Sequence, residues 1–323
     1  MPTTAIEDPP VADYTEAERP VAGERPIPVV VRARIAFVRF FLITYARALG
    51  LSGLYRLGRF FGFLEYLCDY KRRRRATRKL VELFGDELPP AVRRRHVIRY
   101  FMRLRCDKMF YTIMDRIPRA KLLNRIKLKN REFIDGPLAG GNGLYVALSH
   151  YGAHHVAGLM MALLGYKLAG VRDARESHVR RYIQDKYRQT FPEVAAIKIL
   201  MATSFPRQIL RHFKEGNLVA SLLDVDRRRG ETTRMQTVQF FGKQREFLTG
   251  PVQIALRCGA PMIQGFIVSR PNFYYQLIPS PPLIDPADAA QLDEDEVLRR
   301  VMDRYALGVE QFVRRHPDHI VNI

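Results

Sequence analysis

The sequence has few cysteines, few acidic residues for its number of basic ones, and no long uncharged apolar run. Its 323 residues include only three cysteines, Cys68, Cys106 and Cys258. Their wide spacing and odd number exclude a disulfide scaffold and a zinc-finger arrangement, and suggest a reducing compartment such as the cytosol. Apolar residues make up 47% of the chain and charged residues 27%, which excludes a coiled coil, a collagen and a mostly disordered chain. The length suffices for one large domain or two smaller ones with an apolar core.

The shortage of acidic residues leaves a large positive charge in one part of the chain. The chain has 33 acidic residues against 53 basic ones, and its formal net charge is +20. Residues 27–130 carry 26 Lys and Arg against seven acidic residues, whereas residues 1–26 carry six acidic residues and two arginines. Proteins with such a concentrated positive charge are usually held near polyanions. The distribution therefore predicts a basic docking surface within residues 27–130.

The first 70 residues contain two segments of contrasting composition. Residues 1–28 are acidic, rich in proline and without apolar periodicity, so we predict a disordered lead-in that is not a signal peptide. Residues 27–69 are rich in Phe, Leu and Ile, and no stretch reaches the ~18 uncharged residues of a spanning helix. Arginines interrupt this segment at Arg34, Arg39, Arg47, Arg56 and Arg59. Such a helix can lie in the lipid headgroup plane, and an ordinary amphipathic helix packed on the domain is the alternative.

A basic run, Lys71–Arg75, follows, and then a predicted helix from Ala91 to Met114. Such a run can be a solvated helix face, a nucleic-acid patch or a contact for anionic lipid. It is accompanied by no helix-turn-helix spacing, no zinc-finger ligands and no RNP-like strand motif. Because it adjoins an apolar aromatic segment, we predict that residues 29–130 form a helical membrane-docking region that contacts an anionic membrane surface and no nucleic acid.

Residues 131–318 alternate short apolar runs with helical patterns, and we assign them to one domain. Apolar strands separated by helices are typical of a largely parallel sheet covered on both faces. The predicted fold is α/β, with a mixed, mainly parallel sheet of about six or seven strands sandwiched by helices. The predicted extended segments are Gly143–His150, Lys167–Val171, Ala195–Leu200, Asn217–Asp224, Gln236–Phe241, Pro261–Ser269 and Phe273–Ile278. The predicted helices of this domain are Val156–Leu164, Pro206–Lys214, Pro251–Cys258 and Val297–Arg315.

The first predicted strand of this domain ends in a cluster of three histidines, within Ser149–His155. Ligand sites of open α/β sheets lie at the carboxyl ends of the strands. His150, followed by a glycine that leaves room for substrate, is therefore a candidate general base. His150 and His154 are four residues apart and could share a metal ion on a helix, but the glutamate of a zincin motif is replaced by Tyr151. We predict no metal site.

The run from Gly143 to Arg270 resembles the lipid A biosynthesis acyltransferases, within the lysophospholipid acyltransferase superfamily. The family pattern is a His-x4-Asp/Glu motif after an apolar strand, then a strand ending in an acid, a Phe-Phe-Gly block and a Gly-Ala-Pro strand. The matching segments, in this order, are His150-Tyr151-Gly152, Leu222–Asp226, Val238–Gly242, Thr249-Gly250-Pro251 and Gly259-Ala260-Pro261. The likeness covers residues 30–318, although the family's usual Trp-containing end is missing and the chain has no tryptophan.

The resemblance implies a glycerolipid acyltransferase-like fold and an activity. The enzyme would move a fatty acyl chain from acyl carrier protein or acyl-coenzyme A to a hydroxyl of a membrane glycolipid or phospholipid, a lipid A-type precursor above all. It would act at the cytoplasmic face of the inner membrane, without a cofactor, because a thioester is already activated. Arg172 and Arg175 would face the acceptor's phosphate. Phe240, Phe241 and Gly242 would shape the wall of the acyl pocket.

The sequence departs from the family pattern at the acid of the motif, where it has His155. In the family's mechanism the histidine takes the proton from the acceptor hydroxyl, and an acid orients the imidazole and stabilises its charged form. The resemblance offers another acid, Asp224, at the end of the strand before the Phe-Phe-Gly block. We therefore predict a catalytic pair of His150 and Asp224, with His155 as a helper. The alternatives are a capping role for Asp224 and a degenerate member that binds lipid without turning it over.

Overall fold

The computed structural model describes residues 26–172, 177–201, 205–224 and 234–320. The helices are α1 (Val29–Cys68), α2 (Tyr70–Phe84), α3 (Pro90–Ile113), α4 (Arg119–Leu123), α5 (Glu132–Ala139), α6 (His154–Leu163), α7 (His178–Thr190), α8 (Pro192–Ala195), α9 (Phe205–Lys214), α10 (Gly250–Arg257), α11 (Pro286–Ala289) and α12 (Glu294–Arg315). The strands are β1 (Ile126–Leu128), β2 (Leu144–Leu148), β3 (Leu168–Arg172), β4 (Lys198–Met201), β5 (Leu218–Leu222), β6 (Met235–Phe240), β7 (Lys243–Leu248), β8 (Met262–Arg270) and β9 (Tyr274–Pro279).

In the described part of the chain, seven strands form one sheet in the order β1-β9-β8-β2-β5-β3-β4. Every pairing in this sheet is parallel except that of β8 with β9. Strand β2 is buried on both faces, because Tyr145 and Ala147 pack in a different apolar cluster from Leu144 and Val146. Helices supply the remaining residues of these clusters, so the predicted α/β fold with a mixed, mainly parallel sheet is confirmed.

Two strands were not predicted, and each has a physical reason. Strand β1 is only three residues long, too short for a periodic pattern, and it lies inside the segment that we expected to be helical. Strand β7 pairs with β6 in an antiparallel hairpin outside the main sheet. Along β7 only Phe247 is buried, so its sequence shows no apolar alternation.

Helix α1 consists of two halves that meet at Gly50, whose φ of 69° lies in the left-handed region that favours glycine. Each half buries one stripe against the rest of the molecule. The buried residues are Ile35, Arg39 and Leu42 in the first half and Leu54, Gly58, Gly62 and Tyr66 in the second. In the described residues, no helix is long and apolar enough to cross a membrane.

The second half of α1 approaches α3 very closely at two glycines. A Cβ atom at Gly62 would lie 2.5 Å from the Cα atom of Met102, and one at Gly58 would lie 2.9 Å from the Sγ atom of Cys106. The first half is held by Arg39, whose buried guanidinium forms an ion pair with Asp115 at 2.7 Å. Because an unpaired buried charge is strongly destabilising, this pair fixes which side of α1 faces inward.

The opposite side of α1 exposes large apolar side chains to solvent, and we name this surface the α1 apolar face. Its residues are Val29, Val30, Phe37, Val38, Phe40, Phe41, Leu49, Phe60, Phe61, Phe63 and Leu67. Phe37 and Phe40 are 71% and 69% exposed. Large exposed apolar side chains in this number on one helix indicate contact with another molecule or with a membrane.

The close approach of α1 and α3 predicts that an alanine substitution destabilises the protein at Gly62 but not at Gly158, a glycine of α6. Gly62→Ala should lower the free energy of unfolding by about 2 kcal/mol, because its methyl group would meet backbone that cannot move freely. Gly158→Ala in α6 is the control, since a Cβ there would meet nothing within 4 Å. That substitution should raise stability by about 1 kcal/mol through helix propensity. Urea unfolding measures both, and equal stability of the two variants would contradict the packing described.

Candidate active site

The centre of the candidate site is a contact between His150 and Asp224, which follow two neighbouring parallel strands. Leu148 of β2 lies opposite Leu222 of β5, so the residues two positions further along each strand are neighbours as well. The Asp224 carboxylate accepts a hydrogen bond from the His150 backbone N–H (2.7 Å) and lies 2.9 Å from the His150 Nδ1 atom. Asp224 is buried, whereas the His150 side chain is 22% exposed. The carboxylate therefore fixes both the backbone and the ring of this histidine.

The geometry determines the tautomer of the His150 ring. A carboxylate only accepts hydrogen bonds, so the Nδ1 atom carries the proton and the Nε2 atom of the neutral ring keeps its lone pair. Among the described residues, the Nε2 atom has no hydrogen-bond partner. An imidazole that is held at Nδ1 and open at Nε2 can accept a proton from a substrate.

The end of β2 is held by groups that the sequence analysis did not single out. The Leu148 carbonyl accepts hydrogen bonds from the Leu223 N–H (3.1 Å) and from the Tyr305 hydroxyl of α12 (2.9 Å). Gly152 has a φ of 78°, and its N–H donates to the His319 carbonyl at 2.6 Å. We expected Gly152 to leave room for substrate, but a Cβ atom there would collide with the Ile267 carbonyl of β8. The glycine is therefore required by the close approach of the protein's own backbone.

A buried polar network beneath this turn anchors the C-terminal segment. The Asp107 carboxylate of α3 accepts hydrogen bonds from the Ser269 hydroxyl (2.9 Å) and the Tyr275 hydroxyl (3.0 Å), and it pairs with Arg103 at 2.8 Å. The Arg103 Nε atom in turn donates to the Asp318 carbonyl at 2.9 Å. Nothing in the sequence pattern pointed to this network, because its members come from α3, β8, β9 and the last residues of the chain.

His155 lies at the start of α6 and does not take the place of an acid. Its ring makes edge contacts with Tyr111 (4.8 Å between centroids) and His154 (5.4 Å), and His154 makes the edge contact with His150 (5.3 Å). Among the ring contacts of the described residues, none joins His155 to His150. His155 therefore reaches His150 only indirectly among these ring contacts, through His154. The contact of His154 with His150 agrees with their four-residue spacing in the sequence.

Both histidines of α6 are uncharged at neutral pH. Burial lowers the pKa of His155 to about 3, and the nearby Arg180, Lys108 and Arg103 lower it further. Burial also lowers the pKa of His154 well below its usual value, with the neighbouring His155 next in importance. The His154 Nδ1 atom is buried without a hydrogen-bond partner among the described residues. The structure brings His150 together with Asp224, and it offers no counter-charge from position 155.

Of the two arginines expected to bind phosphate, the structure describes only one. Arg172 is the last residue of β3, which pairs in parallel with β5 through Gly170 and Ala220. Its backbone therefore lies at the same carboxyl edge of the sheet as His150 and Asp224. Arg175 lies outside the described residues. Within the described chain, no group of three or more His, Cys, Asp or Glu side chains is arranged to hold a metal ion.

The Phe-Phe-Gly block forms the tight turn between β6 and β7. Phe241 (φ 50°) and Gly242 (φ 70°) are both left-handed, as a two-residue hairpin turn requires. The Phe241 N–H donates to the Glu310 carboxylate at 2.9 Å, and its ring packs on Phe84 and under the Arg314 guanidinium.

Phe240 is buried next to this turn. Its ring packs against Phe247 (5.6 Å between centroids), and Phe247 packs against Tyr305 (5.4 Å). The Phe-Phe-Gly block thus attaches the β6–β7 hairpin to α12. The contact includes Tyr305, whose hydroxyl holds the end of β2. A part for Phe240, Phe241 and Gly242 in the wall of an acyl pocket stays a prediction.

The depressed pKa of His155 predicts a pH-dependent stability. In the unfolded chain His155 regains its ordinary pKa near 6.5, so between about pH 6.5 and pH 3 the unfolded state binds the extra proton. The free energy of unfolding should fall as the pH drops through this window, by up to about 1.4 kcal/mol per pH unit from this residue. Urea unfolding of the wild type and of His155→Gln at pH 7, 5.5 and 4.5 should show a shallower pH dependence in the variant. Identical slopes would mean that His155 is not held neutral in the folded protein.

Comparison with known proteins identifies the family of the chain. A comparison with proteins of curated function gives no significant match. The family model described as bacterial lipid A biosynthesis acyltransferase matches residues 28–321. This match spans α1, the whole sheet and the closing helix, so the chain belongs to the bacterial lipid A biosynthesis acyltransferase family.

Proposed function

We propose that this acyltransferase-family protein moves a fatty acyl chain from an acyl thioester to a hydroxyl of a membrane glycolipid or phospholipid, with a lipid A-type precursor as the favoured acceptor. The donor would be acyl carrier protein or acyl-coenzyme A. The observation that carries the proposal is the 2.9 Å contact between the His150 Nδ1 atom and the buried Asp224 carboxylate, with no described residue hydrogen-bonded to the Nε2 atom. This is the geometry of a general base whose tautomer is fixed by an acid.

The proposed reaction proceeds in two steps around His150. The acceptor hydroxyl gives its proton to the Nε2 atom while its oxygen bonds to the thioester carbonyl carbon, whose electrons move to the carbonyl oxygen. When the carbonyl re-forms, the carbon–sulfur bond breaks, and the leaving sulfur takes the proton from Nε2. Asp224 positions the ring and stabilises the imidazolium that exists between the two steps. The ester and the free thiol account for all atoms, and no cofactor takes part.

His155 favours the degenerate alternative only if no other acid reaches His150. Asp224 reaches it, with hydrogen bonds to both its backbone and its ring. The neutral His154 and His155 resist protonation, so a proton taken from substrate has one favourable position in the cluster, on His150. These contacts support a catalytic protein over one that only binds lipid.

Arg172 and Arg175 are proposed to hold the phosphate of the acceptor. Support comes from the position of Arg172 at the end of β3, on the edge of the sheet that carries His150. A guanidinium binds phosphate through two parallel hydrogen bonds, which positions a ligand as well as attracting it.

The α1 apolar face is proposed to dock the protein on the cytoplasmic face of the inner membrane as a peripheral or monotopic protein. Its large exposed side chains lie next to arginines that are exposed as well, including Arg47, Arg56 and Arg59. Aromatic side chains beside cations suit the lipid headgroup region, where the rings enter the acyl boundary and the cations meet phosphates. Docking of this kind would bring a lipid acceptor to the enzyme without a spanning helix.

The proposed base and its acid can be tested by two substitutions. His150→Ala should abolish acyl transfer. Asp224→Asn should lower kcat by roughly 10⁴-fold, because an amide at this position would present its NH₂ group to Nδ1 and favour the wrong tautomer. Mass spectrometry of membrane lipids from cells that lack the gene and carry each variant would show whether one ester-linked acyl chain is missing.

The matched control for these variants is His155→Gln, which should lower turnover by less than about tenfold if Asp224 is the acid that orients the base. All three proteins should unfold cooperatively at neutral pH and bind vesicles as the wild type does. Normal turnover in Asp224→Asn together with a severe loss in His155→Gln would show that the pairing is wrong.

Membrane docking is tested on the most exposed aromatic side chains of α1. Phe37→Ser combined with Phe40→Ser should weaken binding to vesicles of phosphatidylcholine and phosphatidylglycerol by about tenfold or more, because two large apolar side chains no longer leave water. The control is Leu307→Ser, since Leu307 is 55% exposed and belongs to α12, not to the α1 apolar face. Co-sedimentation measures the binding, and equal losses in the two proteins would argue against docking through the α1 apolar face.

A further inference from the structure

A groove of about 500 Å³ lies between α2 and α3, and basic side chains line it. We name it the arginine groove. Its lining residues are Tyr66, Tyr70, Arg73, Arg74, Thr77, Arg78, Pro90, Arg93, Arg94 and Val97. Five of these ten residues are arginines and none is acidic, so the groove concentrates positive charge on a concave surface.

Three of the arginines are open to a ligand. Arg74, Arg78 and Arg94 are exposed and have no hydrogen bond or ion pair with another described residue. Arg73 instead donates to the Tyr66 carbonyl at 3.1 Å. These three open side chains each present a planar set of donors that fits a phosphate.

The remaining arginine of the groove, Arg93, is positioned by the protein but its donors are not all satisfied by it. One end of the Arg93 guanidinium donates to the carbonyls of Gly85 (3.0 Å) and Leu88 (2.9 Å). Its Nε atom is buried and has no hydrogen-bond partner among the described residues. A buried donor without a partner is destabilising, so the protein holds Arg93 beside the groove without satisfying all of its donors.

The local electrostatics of both helices also favour a counter-charge. Arg74 and Arg78 are four residues apart on α2, a spacing at which like charges repel each other. Helix α3 begins with no acidic residue in its first turn and no side-chain cap. Arg93 and Arg94 therefore add positive charge near the positive end of a helix dipole. A bound anion relieves both repulsions at once.

The surroundings of the groove indicate that the anion carries apolar chains. Tyr66 lines the groove and stacks on Phe63 of the α1 apolar face, with 6.3 Å between ring centroids. Leu67 of the same face is exposed, as is Tyr70, which lines the groove. Basic and apolar surfaces are thus continuous, as a ligand with a charged head and apolar chains needs. An acidic protein partner would bind the basic surface and would leave the adjoining apolar surface unexplained.

We propose that the arginine groove binds the phosphate-monoester headgroup of an anionic membrane lipid whose acyl chains lie along Phe63 and Leu67. A monoester carries nearly two negative charges and three acceptor oxygens, which matches several convergent guanidinium groups better than a diester with one charge. The inference rests on the proposed membrane docking through α1, and it does not depend on the catalytic role of His150.

The test compares two double variants with the same change in charge. Arg74→Gln with Arg94→Gln removes two groove arginines, and Arg75→Gln with Arg95→Gln removes their immediate neighbours, which are exposed and do not line the groove. Binding is measured by co-sedimentation with vesicles of phosphatidylcholine containing either phosphatidic acid or phosphatidylglycerol, adjusted to equal surface charge. The wild type and the control should prefer phosphatidic acid by about tenfold, and the groove variant should lose this preference.

Several results would overturn the inference. Equal loss of the preference in both double variants, or no preference in the wild type, would mean diffuse electrostatic attraction. If soluble glycerol 3-phosphate binds the groove as tightly as vesicles of phosphatidic acid do, the groove is a site for a free phosphate ester. Loss of acyl carrier protein binding by the groove variant alone, with vesicle binding intact, would assign the groove to a protein partner.

The same measurements on His150→Ala separate this inference from the proposed reaction. That variant should retain the preference for phosphatidic acid while losing acyl transfer. If acyl transfer is absent from every protein and the preference still depends on the groove arginines, the reaction is wrong and the lipid site stands. If the wild type transfers acyl chains normally but shows no preference for phosphatidic acid, the proposed lipid site is wrong and the proposed reaction stands.

Discussion

The candidate site depends on the two hydrogen bonds that join Asp224 to His150. Both residues lie just past the ends of parallel strands, and the pairing of Leu148 with Leu222 determines that they are neighbours. A shift of one residue between β2 and β5 would exchange the two buried faces of β2 and would also separate the acid from the histidine. The burial of the sheet and the geometry of the site are therefore consequences of the same register. The end of β2 is also held from α12, through the Tyr305 hydroxyl.

The resemblance implies that His155 stands where the family has an acid, and in the structure the negative charge beside His150 comes from Asp224. An acid at position 155 would lie in the first turn of α6, which begins at His154. In this chain the acid comes from the neighbouring strand, while the first turn of α6 carries two histidines that burial keeps neutral. A neutral ring can pack against aromatic neighbours such as Tyr111, which a buried carboxylate could do only at a large desolvation penalty. With the acid supplied by Asp224, the first turn of α6 can remain uncharged and pack against aromatic side chains.

Patterns along the chain predicted the sheet and located the candidate base, because apolar strands and a histidine at a strand end are local features. Resemblance to the family supplied Asp224, whose pairing with His150 rests on a contact 74 residues apart in sequence. Strand β1 could not be predicted, since three residues carry no period. The basic run was predicted to contact anionic lipid, and its residues have different surroundings in the fold. Arg72 pairs with Glu65, and Arg73 and Arg74 line the groove with residues of α3. Only the packing of two helices shows which charges converge.

The exposed aromatic side chains of α1 follow from how this helix is attached. The buried pair of Arg39 and Asp115 sets the rotation of its first half, and the contacts of Gly58 and Gly62 with α3 set that of its second. Turning the helix to bury Phe37 or Phe40 would expose these glycines and separate a buried ion pair, which is strongly destabilising. The apolar face is therefore held outward by the same contacts that attach α1. Among the described residues nothing covers this face, and the arginine groove lies beside the end of α1, since Tyr66 lines it.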